Sequence, residues 1–282
     1  YKTAEEALRQ SEEKHRILFE TMPQGVVYQN AEGHIFSANA AAERMLGLTL
    51  DQMLGRTSTD PRWKAIHEDG SDFPGDTHPA MVALRAGKGV RNAIMGVFHP
   101  DENEYVWINI NAMPQFKEGE TKPHQVYATF EDITKRRQQE KVRELTRRLL
   151  EIANLGRQLS PTLKEFVRVI RDYAGCDAMG IRVLDSEGNI PYQAYEGFSR
   201  EFYESESPLS IKLHHCMCIN VIKGDADLSL PYYTEDGSFY MNRTTAFRAT
   251  VSEEEKGSTR NVCNEHGYES VALVPIRLGD SI

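Results

Sequence analysis

The sequence predicts an α+β chain of two domains joined by a helix, and three observations lead there. Short strand patterns alternate with short helical ones through residues 21–134; a charged stretch with a three-four apolar period covers 135–160; strand and helix patterns then resume over 161–282. At 282 residues the chain is long for one ordinary domain and comfortable for two.

Composition narrows the classes. Hydrophobic residues make up 40%, enough to bury cores, and charged residues 27%, suited to a solvated surface. No apolar run reaches the length that spans a bilayer, so the expected location is cytoplasmic. The chain opens on Tyr1 and shows no secretory pattern, as expected of an internal piece of a longer protein, and an anchor upstream stays open. A formal charge of −9 excludes a nucleic-acid partner, which needs clustered Lys and Arg. The one basic run, Lys135-Arg136-Arg137 continuing to Arg148, is broken by acidic residues and reads as a solvated helix face.

The first helix, residues 1–20, rests on Ala4, Leu8, Ser11, His15 and Leu18, with Pro23 and Gly25 ending it. Strands follow at Gly25–Gln29 and His34–Ser37 around a turn at Glu32-Gly33. A helix from Asn39 to Leu46 stops at Gly47, whose lack of a Cβ suits a left-handed cap. Thr49 with Gln52 predicts a capping box for a further short helix. Residues 60–75 read as irregular, and a helix then runs from Pro79 to just before Gly87. Three strands close the domain: Val90–His99, Glu104–Phe116 and Gln125–Phe130. In the second of these, Val106, Ile108, Ile110 and Ala112 alternate with polar or aromatic residues, the period of a half-buried strand. Two strands, short helices and three strands predict an antiparallel sheet with helices over one face.

From residue 135 the period changes. Val142, Leu145, Leu149, Ile152, Gly156 and Leu159 fall on a heptad seam, so this helix is expected to pair with its twin in a parallel homodimer; the alternative is an amphipathic helix packed on its own domain. Beyond Ser160-Pro161, a helix ends near Gly175, and strands are expected at Met179–Asp185 and Ile190–Glu196. A segment from Cys216 to Lys223 reads as helical, and a final strand as Ser270–Leu278. With a turn signal at Gly279-Asp280 and no strand after it, this domain is expected to be incomplete.

Residues 8–134 resemble the PAS family. The resemblance is carried by Ala7-Leu8-Arg9-Gln10-Ser11-Glu12 leading to Arg16-Ile17-Leu18-Phe19-Glu20, by Asn39, and by the closing Asp132-Ile133-Thr134 before a charged helix. It implies a sensor or dimerisation module with a small internal pocket. Flavin photochemistry of the cysteine type is excluded, since Gly55 is followed by Arg56-Thr57-Ser58-Thr59 and the first 175 residues hold no cysteine. A haem would need His67 or His78, and His78 directly before Pro79 suits the start of a helix better than an axial ligand. Residues 148–282 resemble a GAF domain through their helix-strand-strand order and Ser270-Val271-Ala272-Leu273-Val274-Pro275-Ile276, with Tyr268-Glu269-Ser270 similar to a subgroup found in prokaryotic sensor histidine kinases. An α/β sandwich is implied, cut short at its end.

Chemistry concentrates late in the chain. Cys216, Cys218, Cys263 and His266 are the metal or redox candidates, with His214 and His215 beside them. Thiolates with imidazole suit a metal ion or haem, two thiols suit a redox pair, and small buried residues with surface histidines are the third option. If residues 215–223 were helical throughout, Cys216 and Cys218 would point about 200° apart and could not hold one ion together. No phosphate loop, nucleophile elbow, His-Glu-x-x-His helix or phospho-acceptor motif occurs, so no catalytic residue is expected. The expected function is a sensory and dimerising region that passes a small-molecule or redox signal to a kinase domain downstream in the same chain. The alternatives are a passive dimerising scaffold, or the input region of another output enzyme such as a diguanylate cyclase.

Overall fold

A computed structural model of the protein describes residues 2–156, 158–207, 209–250 and 260–276. The chain divides into two compact units, Tyr1–Val142 and Arg143–Ile282.

The first unit opens with α1 (Lys2–Thr21), β1 (Gly25–Asn30) and β2 (Ile35–Ala38), followed by α2 (Ala40–Leu46) and α3 (Leu50–Met53). The caps at Gly47 and at Thr49 with Gln52 are those the sequence predicts, while Asn39, expected as the first helical residue, is the N-cap of α2 instead. The Asn39 side chain accepts from Ala42 N, Gly47 ends α2 at φ +63°, and Thr49 and Gln52 form the capping box. Residues 60–75 are less irregular than expected, because β3 (Ala65–Ile66) pairs there with β4 (Val90–His99). A 3-10 turn at Gly75–Thr77 leads into α4 (Pro79–Ala86), and β5 (Glu104–Gln115) and β6 (Gln125–Asp132) complete the sheet.

The six strands are ordered β2-β1-β6-β5-β4-β3, every neighbouring pair antiparallel. The alternation in β5 holds: Val106, Ile108, Ile110 and Ala112 face the core. Val106, Ile108 and Ile110 join Val27, Leu46, Met53, Val97 and Phe130 in one apolar cluster, and Ala112 packs with Ala80, Ala83 and Val126 in a second; such burial is the main favourable term in folding.

Helix α5 (Thr134–Asn154) begins on this sheet. Thr134 Oγ1 accepts from Trp107 N at 2.8 Å, Thr134 N donates to Asp132 Oδ1 at 2.8 Å, and the Arg137 guanidinium lies 4.5 Å from the Trp107 ring centre while pairing with Glu68. The helix ends earlier than the heptad pattern implies. Gly156 adopts φ +62°, and Leu159 opens α6 (Leu159–Ala174) instead of closing the seam. A residue in the left-handed region cannot continue an α-helix, so Leu159 does not share a helix with Val142, Leu145, Leu149 and Ile152. Along α5, Val142 is exposed, Leu145 and Leu149 are half-buried, and Ile152 is buried.

The second unit continues with the hairpin β7 (Met179–Arg182) and β8 (Tyr192–Glu196), then α7 (Arg200–Glu206), α8 (Met217–Lys223), β9 (Phe239–Asn242), α9 (Thr244–Thr250), α10 (Val262–Glu265) and β10 (Ser270–Leu273). Two elements depart from the sequence reading. The polar stretch before the last strand contains β9, and β10 pairs with it antiparallel. The described strands of this unit form two separate two-stranded sheets, and the α/β sandwich that the resemblance implies is not seen among them. The turn at Gly279-Asp280 lies outside the described residues.

Candidate functional site

Each unit encloses a cavity of about 80 Å³. The first lies between the sheet and the helices of the first unit, walled by Val27, Ile35, Met95, Ile108 and Phe130. Its polar groups are few. Gln29 Nε2 donates to Gly33 O at 3.1 Å, and Ser58, Trp63 and His78 complete the rim. Among the described residues the buried Trp63 Nε1 has no hydrogen-bond partner, a donor left over in an apolar space.

His78 stacks on Phe73 with ring centres 5.3 Å apart, and its Nε2 lies 3.1 Å from Phe73 O. Burial of the ring holds its pKa below the ordinary value, outweighing the Phe73 carbonyl and Asp76. With the folded pKa depressed, the unfolded chain binds the proton first, so this contribution is present above about pH 6.5 and is lost as pH falls towards the folded value. The first unit is therefore expected to lose stability as the pH falls below about 6.5, by a step that His78→Gln removes. Urea unfolding of both proteins across that range measures it, and identical slopes would refute it.

The second cavity lies among α8, α10, β9 and β10, walled by Met217, Phe239, Met241, Phe247, Val271 and Leu273. It collects Cys216, Cys218 and Cys263, three residues that the sequence singles out. The expected 200° divergence of Cys216 and Cys218 does not occur. Cys216 is the N-cap of α8, with extended φ −163°, so it stands outside the helix and its thiol shares a hydrogen bond with that of Cys218. His266 is not part of the group: it is exposed and its ring lies edge-on against Phe202 at 5.5 Å. His214 uses Nδ1 to accept from Ser210 N, and His215 is exposed.

Cys218 and Cys263 are held protonated. The hydrogen bond with Cys216 and burial push Cys218 well up, and burial pushes Cys263 up to about 12. Thiolates are the nucleophiles and the metal ligands, so redox or coordination chemistry at Cys218 and Cys263 would first have to remove a proton held by burial. Among the described residues no group of three His, Cys, Asp or Glu has a geometry that could hold a metal ion.

Sequence reading missed the charged half of this site. Glu206 is 2% exposed at the end of α7, with Arg260 Nη1 3.0 Å from Oε1 and Arg182 Nη2 3.6 Å from Oε2. Arg182 also donates through Nη1 to Ile190 O and Glu206 O, both at 2.8 Å, and its guanidinium carbon lies 3.8 Å from the Tyr192 ring centre. Burial raises the Glu206 pKa against the pull of both arginines. Nothing in Arg200–Glu206, a charged amphipathic helix, distinguishes Glu206 from its solvated neighbours. Arg182 did offer a signal, as one charge inside the apolar strand Ile181-Arg182-Val183-Leu184.

The first unit is thus an α+β module whose six-stranded antiparallel sheet and short helices enclose an apolar cavity. The family model of the PAS fold matches residues 13–133, and this part of the chain is a PAS domain. Similar solved structures include the PAS domain of a protein from Colwellia psychrerythraea (19% identity, 44% of this chain and 97% of that one, TM-score 0.34). Another is a domain of the sensory box sensor histidine kinase/response regulator from Geobacter sulfurreducens (19% identity, 44% and 96%, TM-score 0.34). A third is the PAS domain from Bordetella pertussis BvgS (19% identity, 50% and 98%, TM-score 0.33). A comparison with curated proteins finds no match. Among the described residues no helix is long and apolar enough to cross a membrane.

Proposed function

We propose that the chain is the cytoplasmic sensory and dimerising region of a sensor histidine kinase, in which the PAS cavity takes a small-molecule signal and α5 carries it towards the output domain. The observation that supports this most is the way α5 is rooted. Its first residues are held by Trp107 of β5 and by Glu68, through Thr134 and Arg137, so a change in the sheet around the cavity bears directly on the start of the helix. Pairing of two α5 helices along Val142, Leu145 and Leu149 would make that change a shift between two packings of a dimer. In this reading the second unit is GAF-like, and its thiols contribute to the core.

The test is mass. Sedimentation equilibrium is expected to give twice the 32.0 kDa chain mass, and Leu145→Lys with Leu149→Lys to return it to that of one chain with the circular dichroism of the domains retained. Charges placed on a buried seam cost about 2 kcal/mol or more each, enough to dissociate a short coiled coil. An unchanged mass in the double variant would rule out pairing through α5.

A further inference from the structure

The second unit's cavity carries an assignment that does not rest on the PAS reading. Its walls are mainly apolar side chains and thiols, with Thr244, Arg248, Arg260, Asn261 and Asn264 at the polar positions, and its one buried carboxylate is Glu206. Oε1 of Glu206 is buried and has no hydrogen-bond partner among the described residues; Arg260 Nη1, though 3.0 Å away, lies off the hydrogen-bonding direction. An acceptor left open in an apolar space is costly unless something donates to it.

The two guanidiniums that pair with Glu206 direct their hydrogen bonds elsewhere. Arg182 donates to Ile190 O and Glu206 O and lies over Tyr192, while Arg260 Nη2 donates to Ser205 O at 3.2 Å. Arg182 Nη2 is also buried without a hydrogen-bond partner among the described residues, but Arg182 does not line the cavity, so the open polar position on its wall is the Glu206 acceptor. A cationic ligand would be a third positive charge around one carboxylate in a poorly screened interior, and an anion would meet the carboxylate itself.

We propose that this cavity binds a small neutral molecule, apolar over most of its surface and carrying one hydroxyl or N–H group that donates to Glu206 Oε1. The apolar body would sit against Met217, Met241, Phe247 and Leu273, with the donor directed at the carboxylate.

Phenol and toluene are the probes, since they differ chiefly in the donor. Burial of apolar surface alone favours toluene, whereas a hydrogen bond to a buried carboxylate reverses the order. The full chain, labelled with 13C at the methionine methyls, is titrated with each. Phenol is expected to shift the Met217 and Met241 signals saturably, at least tenfold more tightly than toluene, and to leave Met95 of the PAS cavity unmoved. E206Q is expected to weaken phenol about tenfold and leave toluene unchanged, since hydrogen bonds to charged acceptors are the stronger ones. Toluene binding as tightly as phenol, shifts confined to Met95, or no saturable shift at all (a cavity holding water only) would each overturn the assignment. The comparison on the native chain stands even if E206Q fails to fold, and a negative result leaves the PAS reading untouched.

Discussion

Asn39→Ala is expected to cost the PAS domain about 3 kcal/mol or more, through the loss of several buried hydrogen bonds at once. Asn39 is fully buried and uses its whole side chain. Oδ1 accepts from Val26 N and from Ala42 N, both at 2.9 Å, and Nδ2 donates to Phe19 O and Gln24 O, both at 2.9 Å. One residue thereby ties the end of α1, the start of β1 and the first turn of α2 together. Alanine leaves two N–H groups and two carbonyls short of a partner in places where water does not easily reach. Asn39→Ser keeps an acceptor for Ala42 N and should recover about 1 kcal/mol, the usual worth of a helix cap. Both tryptophans of the chain, Trp63 and Trp107, lie in the first unit, so tryptophan fluorescence during urea unfolding follows this domain. A midpoint for Asn39→Ala within 1 kcal/mol of the parent would show that the network is dispensable.

The second large effect is expected at Gly197→Ala, in the other unit. Gly197 follows β8 with φ +85°, and a Cβ there would stand 2.1 Å from Asp177 O and 2.8 Å from the Ala178 Cα. Both obstacles are backbone, so no side-chain rotation relieves them. The left-handed conformation costs alanine about 1 kcal/mol, and moving the Asp177–Ala178 backbone adds about 2 kcal/mol more. That segment enters β7, whose Arg182 reaches Glu206, so the damage should extend to the charged end of the second cavity. The variant should therefore unfold earlier by far-UV circular dichroism while its tryptophan transition stays near that of the parent. Equal shifts in both signals would mean that the two units unfold together. No shift in either would contradict the close approach itself.

The two positions differ in how far the sequence reveals them. From local pattern Asn39 reads as the start of an alanine-rich helix, and the structure makes it the cap of that helix. Its bonds to Phe19 and Gln24 come from chain brought back in three dimensions. At Gly197 the sequence shows only a glycine after a strand. The obstructing carbonyl is that of Asp177, twenty residues earlier, and no local rule points to it.

The same division runs through the whole chain. The caps at Gly47 and Thr49, the helix from Pro79 to Gly87 and the alternation of β5 were legible because each follows from contacts within a few residues or from the period of one strand. The α+β class of the first domain followed from their order, and its PAS character from residues quoted in the sequence. The stop of α5 was visible only as Gly156, a residue that a heptad seam tolerates on paper and the backbone does not. For the second unit, composition and spacing singled out three cysteines that line one cavity and a histidine that does not. Cys216, Cys218 and Cys263 meet because α8, its extended N-cap and α10 converge on one cavity; His266, three residues from Cys263, turns outward. Glu206 has a partner far away in sequence, in Arg182 on β7, and burial between guanidiniums is a property of folded neighbours. Local sequence thus determined the elements and their caps. Which polar groups end up buried, and beside whom, was decided by tertiary packing, since desolvation depends on everything within a few ångströms and little of that lies nearby along the chain.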